Sequence, residues 1–401
     1  MEFDSVKSIV PFSLTLPREK PYLGTLRKGE EPNASGYFVR RGNGTVYPVF
    51  DRSVLVRIET RSGIVGWGET YGLVAPGAVG EIINDLLAEF IVGRDPTDPA
   101  AIYDDLYGLL RVRGYGGGFF ADALAAIDIA LWDVAGRIAG CSVANLLGSA
   151  VRQTIPAYVS GLPEDSLEKR AELAKSWLVR GFDSFKFALP MADDGPKAEM
   201  SALRSALGEK ARIAVDMHWS HTAAQATELI EYMAPCGLWF AEAPVWTEDI
   251  EGLSRVCRDS AVPIAVGEEW RTVYDMRHRI ERCRIAIVQP EMGHKGITNF
   301  SRIHDCAAER GIEVIPHATI GLGIFLAASL LASAAMPRVT AHEFQHSIFE
   351  PNRRLVLGDM DCVAGSYSIP TGPGLGTEPS PEAVAQMVPM GKGAASLARR
   401  N

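Results

Sequence analysis

The sequence predicts an α/β protein in which an N-terminal α+β unit is followed by a (β/α) barrel. Up to Ala139, strand patterns precede helix patterns without alternating with them, which is typical of an α+β unit. After Leu147, short apolar runs alternate with helical segments, as in a parallel barrel. Three of these runs end in a carboxylate at equal spacing. A chain of 401 residues is also long for a single core, which favours two domains.

The N-terminal unit is predicted at residues 1–125 and begins with strands. Alternating apolar residues at 53–60 (SVLVRIET) and 64–69 (IVGWGE) flank a glycine-containing turn, which is typical of a β-hairpin. Helical patterns follow from Gly77 to Ala139. Gly140 closes the last of them, as expected for a helix C-terminus.

A polar loop from Glu30 to Gly44 precedes the hairpin and has no apolar period. It is either a simple surface loop or a flap over a binding site. In the second case Arg40, Arg41 and the nearby Tyr47 are available to contact an anionic substrate. The C-terminal tail, residues 360–401, is irregular, and we expect it to fold back onto the N-terminal unit.

The barrel is predicted at residues 126–359. Short apolar runs fit its strands, and helical segments lie between most of them. No glycine-rich phosphate loop follows the first run, which disfavours a dinucleotide-binding sheet. The runs span 154–160, 184–189, 212–217, 238–244, 263–269, 285–291, 313–318 and 340–345.

Three carboxylates end successive runs of this barrel. Asp216, Glu242 and Glu268 follow one another 26 residues apart both times, about the length of one β/α step. Each acid alone would fit a helix N-cap or a solvated loop end. At adjacent strand ends of one barrel, however, they would converge and repel one another unless a cation lay between them. Oxygen ligands of this kind indicate Mg²⁺.

Composition excludes several classes of partner. The net charge of -9 argues against general binding to nucleic acid or to an anionic membrane. The six cysteines are scattered and show no CxxC spacing, so a reducing, cytoplasmic location is the simplest expectation. Charged residues interrupt the start of the chain, which is unlike a signal peptide. The apolar segment from Gly321 to Met336 is too short for a membrane span and predicts a buried helix.

Several motifs in order along the chain resemble the enolase superfamily, in its mandelate racemase and muconate lactonizing enzyme-like subgroup. They are the hairpin VRIET-RSG-IVGWGE, the helix DIALWDVAGRIAG, the three acids (with FAEAP around Glu242 and GEE at Glu268) and His317 in PHAT. The resemblance implies a modified TIM (β/α)7β barrel under an α+β capping domain. It also implies Mg²⁺ held by Asp216, Glu242 and Glu268, and removal of the proton α to a carboxylate to form an enediolate.

The resemblance assigns further roles by position. His317 would be the general base, with Glu291 as its dyad partner where the family usually has Asp. Lys186 and Glu343 would hold the enediolate. His294, near the barrel mouth, is a candidate contact for substrate hydroxyls. Homo-oligomers are common in the family, so a homo-oligomer is expected.

The pattern around the second strand narrows the reaction. Racemases of the family carry Lys-x-Lys there, whereas this chain has Lys186 and then Ala188 on the same face, so two-base racemisation or epimerisation is disfavoured. His218, two residues after Asp216, resembles the acid that protonates a departing β-hydroxyl in acid sugar dehydratases. We therefore predict a Mg²⁺-dependent acid sugar dehydratase that forms a 2-keto-3-deoxy acid. The alternative is a cycloisomerase of a sugar-acid lactone or anhydro-sugar acid.

Overall fold

The structure is a computed structural model, and it describes residues 4–148, 151–317 and 321–391. Two parts of the sequence-based predictions lie outside these ranges. They are the end of the PHAT motif, Ala318 and Thr319, and the end of the C-terminal tail, residues 392–401.

The capping domain is built on an antiparallel sheet. Its long strand β1 (Val6–Leu16) pairs with β4 (Asp51–Thr60), and β4 pairs with β5 (Val65–Tyr71) in the predicted hairpin. A smaller hairpin of β2 (Tyr37–Arg40) and β3 (Thr45–Pro48) lies in the polar loop. The helical elements here are α1 (Pro76–Glu81), a π-helical turn (Ile82–Leu87), short 3₁₀ turns (Ala88–Phe90 and Arg111–Arg113), α2 (Pro99–Leu109) and α3 (Gly118–Ala139).

Helix α3 lies almost in contact with the backbone of β5. A Cβ atom added at Gly66 would meet the Ala130 carbonyl oxygen at 2.6 Å, and one added at Gly68 would collide with the Ala126 carbonyl oxygen. Glycine at both inward positions of the strand therefore permits the close approach. The two alanines lie on a face of the helix that is fully buried.

The barrel confirms the predicted (β/α)7β architecture. All neighbouring strands are parallel, and a bridge between Val314 and Val339 connects the last two strands in the described residues. The strands are β6 (Thr154–Ser160), β7 (Ser184–Ala188), β8 (Arg212–Asp216), β9 (Leu238–Glu242), β10 (Ile264–Val266), β11 (Ile287–Val288), β12 (Glu313–Val314) and β13 (His342–Phe344).

Helices connect these strands and cover the outside of the barrel. The segment that the sequence predicts as a buried helix, from Gly321 to Met336, contains the helix Ile324–Ala335, which is buried from Ile324 to Ala334. In the described chain no helix is both long and apolar enough to cross a bilayer. The helices are α4 (Val143–Leu147), α5 (Leu167–Val179), α6 (Pro196–Leu207), α7 (Ala223–Met233), α8 (Ile250–Asp259), α9 (Val273–Ile280), α10 (Met292–Ala308), α11 (Ile324–Ala335) and α12 (His346–Asn352), with 3₁₀ turns at Leu189–Met191, Ala234–Cys236 and Arg353–Leu355.

An apolar layer fills the barrel below its mouth. Tyr158, Ala214 and Phe240 belong to this buried layer, which takes residues from most of the strands. Side chains two positions further along a strand point to the same face. Asp216 therefore follows Ala214 on β8, and Glu242 follows Phe240 on β9, so both carboxylates face inward above an apolar floor.

The C-terminal tail contacts both domains. Its last strand, β18 (Val388–Pro389), pairs with β1 of the capping sheet, as expected for a tail that folds back. Another strand, β16 (Ser366–Ser368), pairs with the barrel strand β6. The predicted boundary at residues 125 and 126 falls within α3, which is continuous and packs on the capping sheet. The other tail elements are β14 (Val356–Leu357), β15 (Cys362–Val363), β17 (Glu378–Pro379) and α13 (Pro381–Gln386).

The end of β5 fastens the capping domain to the barrel. The buried carboxylate of Glu69 accepts hydrogen bonds from the backbone N–H groups at the start of α11, between Leu322 and Phe325. This carboxylate therefore supplies acceptors to N–H groups that a helix N-terminus leaves unpaired. The Thr70 hydroxyl donates to the carbonyl of Gly293 over 2.5 Å, and the next residue, Tyr71, reaches the cavity.

We predict that Gly68→Ala destabilises the protein by about 2 kcal/mol or more, because the added methyl meets backbone that cannot move aside. Thermal or urea unfolding would measure the loss. Gly108→Ala is the matched control, since Gly108 lies in α2 with open space around it, and alanine there should maintain or raise stability. Equal stability of the two variants would show that the contact between α3 and β5 is not tight.

Candidate active site

A cavity of about 400 Å³ lies between the capping domain and the barrel mouth. One part of its wall carries predicted site residues, namely Asp216, Glu268, Glu291, His218, His294 and His317. Much of the remaining wall is aromatic or aliphatic. The aromatic side chains in it are Tyr22, Tyr47, Tyr71, Phe119 and Trp219.

The three predicted metal ligands converge at this mouth. Asp216 and Glu242 are register partners on adjacent strands, and Glu268 follows β10 directly after Gly267. Carboxylate atoms of Glu242 and Glu268 and a ring nitrogen of His317 all lie within 4.8 Å of one another. Asp216 is next to this group but is turned toward its neighbour His218, whose Nε2 lies 2.9 Å from Oδ2.

The charges of this cluster fit a divalent cation. Burial, together with the nearby carboxylates, raises the pKa of Glu242 to about 8 although Lys186 opposes the shift. Its Oε2 accepts from Lys186 and from Gln289, each over 2.7 Å, but its buried Oε1 has no hydrogen-bond partner in the described structure. An orphaned carboxylate oxygen beside further carboxylates is an arrangement that a hard cation stabilises.

His317 forms a close pair with Glu291. Its Nδ1 donates to Glu291 Oε2 over 2.6 Å, and the same oxygen accepts from the Tyr71 hydroxyl over 2.9 Å. The backbone N–H of Gly293 donates to the other oxygen of Glu291, over 2.9 Å. The carboxylate is thus held from three sides, and the extra methylene of Glu relative to Asp does not prevent a short contact. Because a carboxylate only accepts, Nδ1 bears a proton, and in the neutral form of the ring the lone pair is then on Nε2.

The surroundings of His317 make it strongly basic. Its Nε2 lies 2.6 Å from Glu268 Oε2 and 3.9 Å from Glu343 Oε2. Burial alone would lower the pKa of His317, but these carboxylates raise it well above its usual value. A cation bound by Glu268 would offset part of this effect and bring the imidazole closer to neutrality.

Lys186 is held between two buried carboxylates. Its Nζ lies 2.7 Å from Glu242 Oε2 and 2.8 Å from Glu343 Oε1. Burial would lower the pKa of Lys186, but Glu242 and Glu343 hold it well above its usual value. The side chain is therefore a fixed cation rather than a base. Ala188, on the same face of β7, packs with Tyr47 and offers no titratable group.

A residue of the polar loop contacts His218. Asn43 Nδ2 lies 2.9 Å from the Tyr47 hydroxyl and 3.2 Å from His218 Nδ1, while Asn43 Oδ1 accepts from the backbone N–H of Thr45. That last bond fixes the orientation of the amide, so Nδ2 donates to His218. Asp216 raises the pKa of His218 against the effect of burial. While the Asn43 hydrogen bond holds, however, Nδ1 must be unprotonated and the ring neutral.

Two consecutive backbone residues at this point have unusual conformations. His218 and Trp219 have φ angles of 51° and 50°, in the left-handed region that residues with a Cβ seldom occupy. Each costs on the order of 1 kcal/mol or more. The turn brings the His218 ring back over the Asp216 carboxylate, and strain of this kind is common at functional sites.

The structure corrects the role predicted for Arg40. Its guanidinium is fully buried inside the loop, where it forms an ion pair with Glu30 at 2.7 Å and donates to three backbone carbonyls. It organises the loop and does not face the cavity. Arg41 is exposed, lies against Gly29 and is likewise absent from the cavity wall. Tyr47 and His294, by contrast, do line the cavity.

Sequence reasoning missed several residues that the structure brings to the cavity or into contact with the histidines that line it. Asp122 on α3 accepts from His294 Nδ1 over 2.6 Å, and Arg271 Nε lies 3.4 Å from the same oxygen. Asn43 and Tyr71 were missed as well. Tyr71 lies directly after the GWGET segment, but nothing in the sequence indicates that its hydroxyl reaches Glu291.

Family models match both domains of the chain. The mandelate racemase / muconate lactonizing enzyme N-terminal domain matches residues 47–148, and the enolase C-terminal domain-like family matches residues 169–383. The chain belongs to the enolase superfamily, in the group of mandelate racemase and muconate lactonizing enzymes, and is an enzyme of that superfamily.

Among individual proteins, the D-galactarolactone cycloisomerase of Agrobacterium fabrum is 32% identical over 353 residues, which are 84% of this chain and 92% of that protein. A crystal structure of an enolase superfamily member from Agrobacterium tumefaciens is 63% identical, with a TM-score of 0.95 over 97% of this chain and 100% of that one. The 3,6-anhydro-D-galactonate cycloisomerase of Zobellia galactanivorans shares the fold, at 22% identity and a TM-score of 0.81 over 96% of this chain and 99% of that one.

We predict that Glu242→Gln abolishes activity and the rise in melting temperature that Mg²⁺ causes, because a ligand that binds only the folded protein stabilises it. In EDTA at pH 8 the variant should be at least as stable as the wild type. The raised pKa of Glu242 implies a stability contribution that is present below the unfolded pKa, about 4, and lost as pH rises toward 8.

Differential scanning fluorimetry with and without Mg²⁺ measures both effects. Glu231→Gln, at an exposed position of α7, is the control and should behave like the wild type. A full Mg²⁺-dependent shift in the Glu242 variant would rule this carboxylate out as a ligand.

Proposed function

We propose that the protein is a Mg²⁺-dependent cycloisomerase that opens a sugar-acid lactone. In this reaction the proton α to the free carboxylate is removed and the ring oxygen leaves from the β-carbon. The product is a 2-keto-3-deoxy acid with the same atoms as the lactone. The observation that supports this choice over dehydration is the 32% identity to a D-galactarolactone cycloisomerase over 84% of this chain, together with the contact of Asn43 Nδ2 with His218 Nδ1.

His317 is the proposed base. Its Nδ1–H is fixed on Glu291, and Nε2 faces the carboxylate cluster where the substrate carboxylate would be held. Tyr71 and Gly293 hold Glu291 in turn, which keeps the imidazole in one tautomer and one orientation. A positioned base of this kind contributes roughly 10²–10⁴-fold to the rate.

Lys186 and Glu343 are proposed to stabilise the enediolate. Removal of the α-proton adds a second negative charge to a carboxylate, so a fixed cation beside it lowers the barrier. Lys186 is such a cation, and its two carboxylate partners hold it in place. Asp216, Glu242 and Glu268 would hold Mg²⁺, which when bound supplies Lewis-acid stabilisation of the same charge.

The leaving group separates the two candidate reactions. Hydroxide is a poor leaving group and needs a general acid, as does the alkoxide of an anhydro ring. The ring oxygen of a lactone leaves as part of a carboxylate and needs none. His218 donates Nε2–H toward Asp216 and accepts at Nδ1 from Asn43, so it is engaged as a neutral ring. This arrangement favours a leaving group that departs without a proton.

The cavity wall and the relatives support the same choice. Tyr22, Tyr71 and Phe119 offer flat apolar surfaces that suit a compact ring better than an extended chain of hydroxyls. The curated relative at 32% identity is a lactone cycloisomerase. Dehydration of an acid sugar uses the same enediolate and stays the second candidate. Two-base racemisation is disfavoured, since Ala188 replaces a base and Lys186 is a held cation.

We predict that a sugar-acid lactone yields one 2-keto product and one released proton per turnover, because ring opening creates a new carboxylate. Dehydration of an open acid releases no proton. A pH-indicator assay run beside a semicarbazide assay for the keto group compares the two yields. His218→Gln should retain lactone turnover within about tenfold, whereas loss of a required general acid would lower it by roughly 10²–10⁴.

Keto product formed from an open sugar acid without proton release would establish the dehydratase instead. In that case His218→Gln should be nearly inactive.

A further inference from the structure

A second polar group of the cavity lies where α3 approaches the barrel. We call it the Arg271 cluster, and it consists of Asp122, Glu269, Arg271 and His294, all of which line the cavity. Asp122 comes from the capping helix and is buried, while the other three come from barrel loops and the start of α10. The reactions considered above use none of these side chains.

The hydrogen-bonding capacity of the cluster is well defined. His294 Nδ1 donates to Asp122 over 2.6 Å, so Nε2 of the neutral ring is an acceptor, and it has no partner in the described structure. Burial and the Arg271 guanidinium lower the pKa of His294, which favours the neutral ring. The Tyr71 ring stacks on it at 4.4 Å and fixes its plane. Arg271 Nε is buried without a hydrogen-bond partner, so the cluster presents both a donor and an acceptor.

The cluster has no unmatched positive charge. Among the described residues that line the cavity, Arg271 is the only lysine or arginine. Asp122 lies 3.4 Å from its Nε and matches its charge, and Glu269 adds no positive charge. Lys295 is nearby but fully buried, and its ammonium donates to the Glu268 carbonyl over 3.0 Å. A second carboxylate on a bound molecule would therefore meet no unmatched cation. No ion pair would offset the free-energy cost of removing that carboxylate from water.

We propose that the Arg271 cluster binds an uncharged polar end of the substrate, a ring carbonyl or a hydroxyl, and rejects a carboxylate there. The substrate then enters as a monoanion whose single carboxylate lies at the other end of the cavity, where Asp216, Glu242 and Glu268 would hold Mg²⁺. This inference rests on the proposed function, in which a lactone has that charge. It excludes open-chain aldarates, which are dianions, from the substrates of this enzyme.

The lack of an unmatched positive charge in the cluster also favours release of the product. Opening the lactone converts its ring carbonyl into a carboxylate, so the product has one more negative charge than the substrate. Against Asp122 and Glu269 the new charge is unfavourable. The cluster therefore discriminates between substrate and product by charge at one end of a molecule whose other atoms are unchanged.

The test compares pairs of acids that differ only at this end. Calorimetry in Mg²⁺ measures the dissociation constants of three pairs: D-galactonate and D-galactarate, D-gluconate and D-glucarate, and D-mannonate and D-mannarate. For each pair we compare the ratio of the diacid's dissociation constant to that of the monoacid. The wild type should bind the monoacid of a pair at least about tenfold more tightly than the diacid. Asp122→Asn frees the charge of Arg271 and should shift this ratio toward the diacid by about tenfold.

Two further variants serve as controls: one removes a carboxylate elsewhere on the protein, and the other removes the cation of the cluster. Asp104→Asn removes the same charge from an exposed ion pair with Arg302, away from the cavity, and should leave the ratio unchanged. Arg271→Gln removes the cation and should shift the ratio further toward the monoacid. If Asp122→Asn does not fold, the opposite shift in Arg271→Gln still tests the proposal.

Tighter binding of the diacid by the wild type would overturn the proposal, as would Asp122→Asn and Asp104→Asn having the same ratio. Absence of binding in all three pairs would overturn it together with the sugar-acid function. If the protein prefers the monoacids as predicted but does not open lactones, the charge selectivity of the cluster stands and only the proposed reaction is contradicted.

Discussion

The convergence of carboxylates on one buried cavity is the constraint on which the rest of the site depends. A closed parallel barrel brings its strand ends together, so acids that are far apart in sequence face one another. In the part of the chain that the structure describes, Lys186, His218 and His317 offset part of the negative charge of Asp216, Glu242, Glu268 and Glu343. The remaining negative charge makes a site for a divalent cation. It also raises the basicity of His317 and keeps Lys186 charged.

The capping domain completes this site rather than only covering it. Three consecutive residues of one strand reach into the barrel: Glu69 caps a barrel helix, Thr70 bonds to a barrel carbonyl, and Tyr71 holds Glu291, the partner of His317. The loop residue Asn43 and the helix residue Asp122 add contacts to two further histidines. Displacement of the capping domain would therefore disturb the chemistry as well as substrate access.

The sequence predicts those features that local patterns determine. The hairpin and the barrel follow from alternation and spacing, and both are where the sequence places them. Asp216, Glu242 and Glu268 lie at the ends of adjacent strands, as their spacing predicts. The prediction that Arg40 contacts the substrate is wrong because Arg40 pairs with Glu30, and only the folded loop brings these two residues together. Asp122 was missed because the position of α3 over the barrel depends on contacts between distant segments, such as the glycines of β5. Local sequence patterns do not predict packing between segments that are far apart along the chain.

The central claim is that His317 alone removes the α-proton, and a sugar acid without a β-oxygen tests it most directly. Such a molecule can form the enediolate but cannot eliminate, so proton removal is seen as exchange of the α-hydrogen in D₂O by NMR. The account predicts exchange with retained configuration in the wild-type enzyme and none in His317→Asn. Exchange that persists in the variant, or that is accompanied by inversion at the α-carbon, would contradict it.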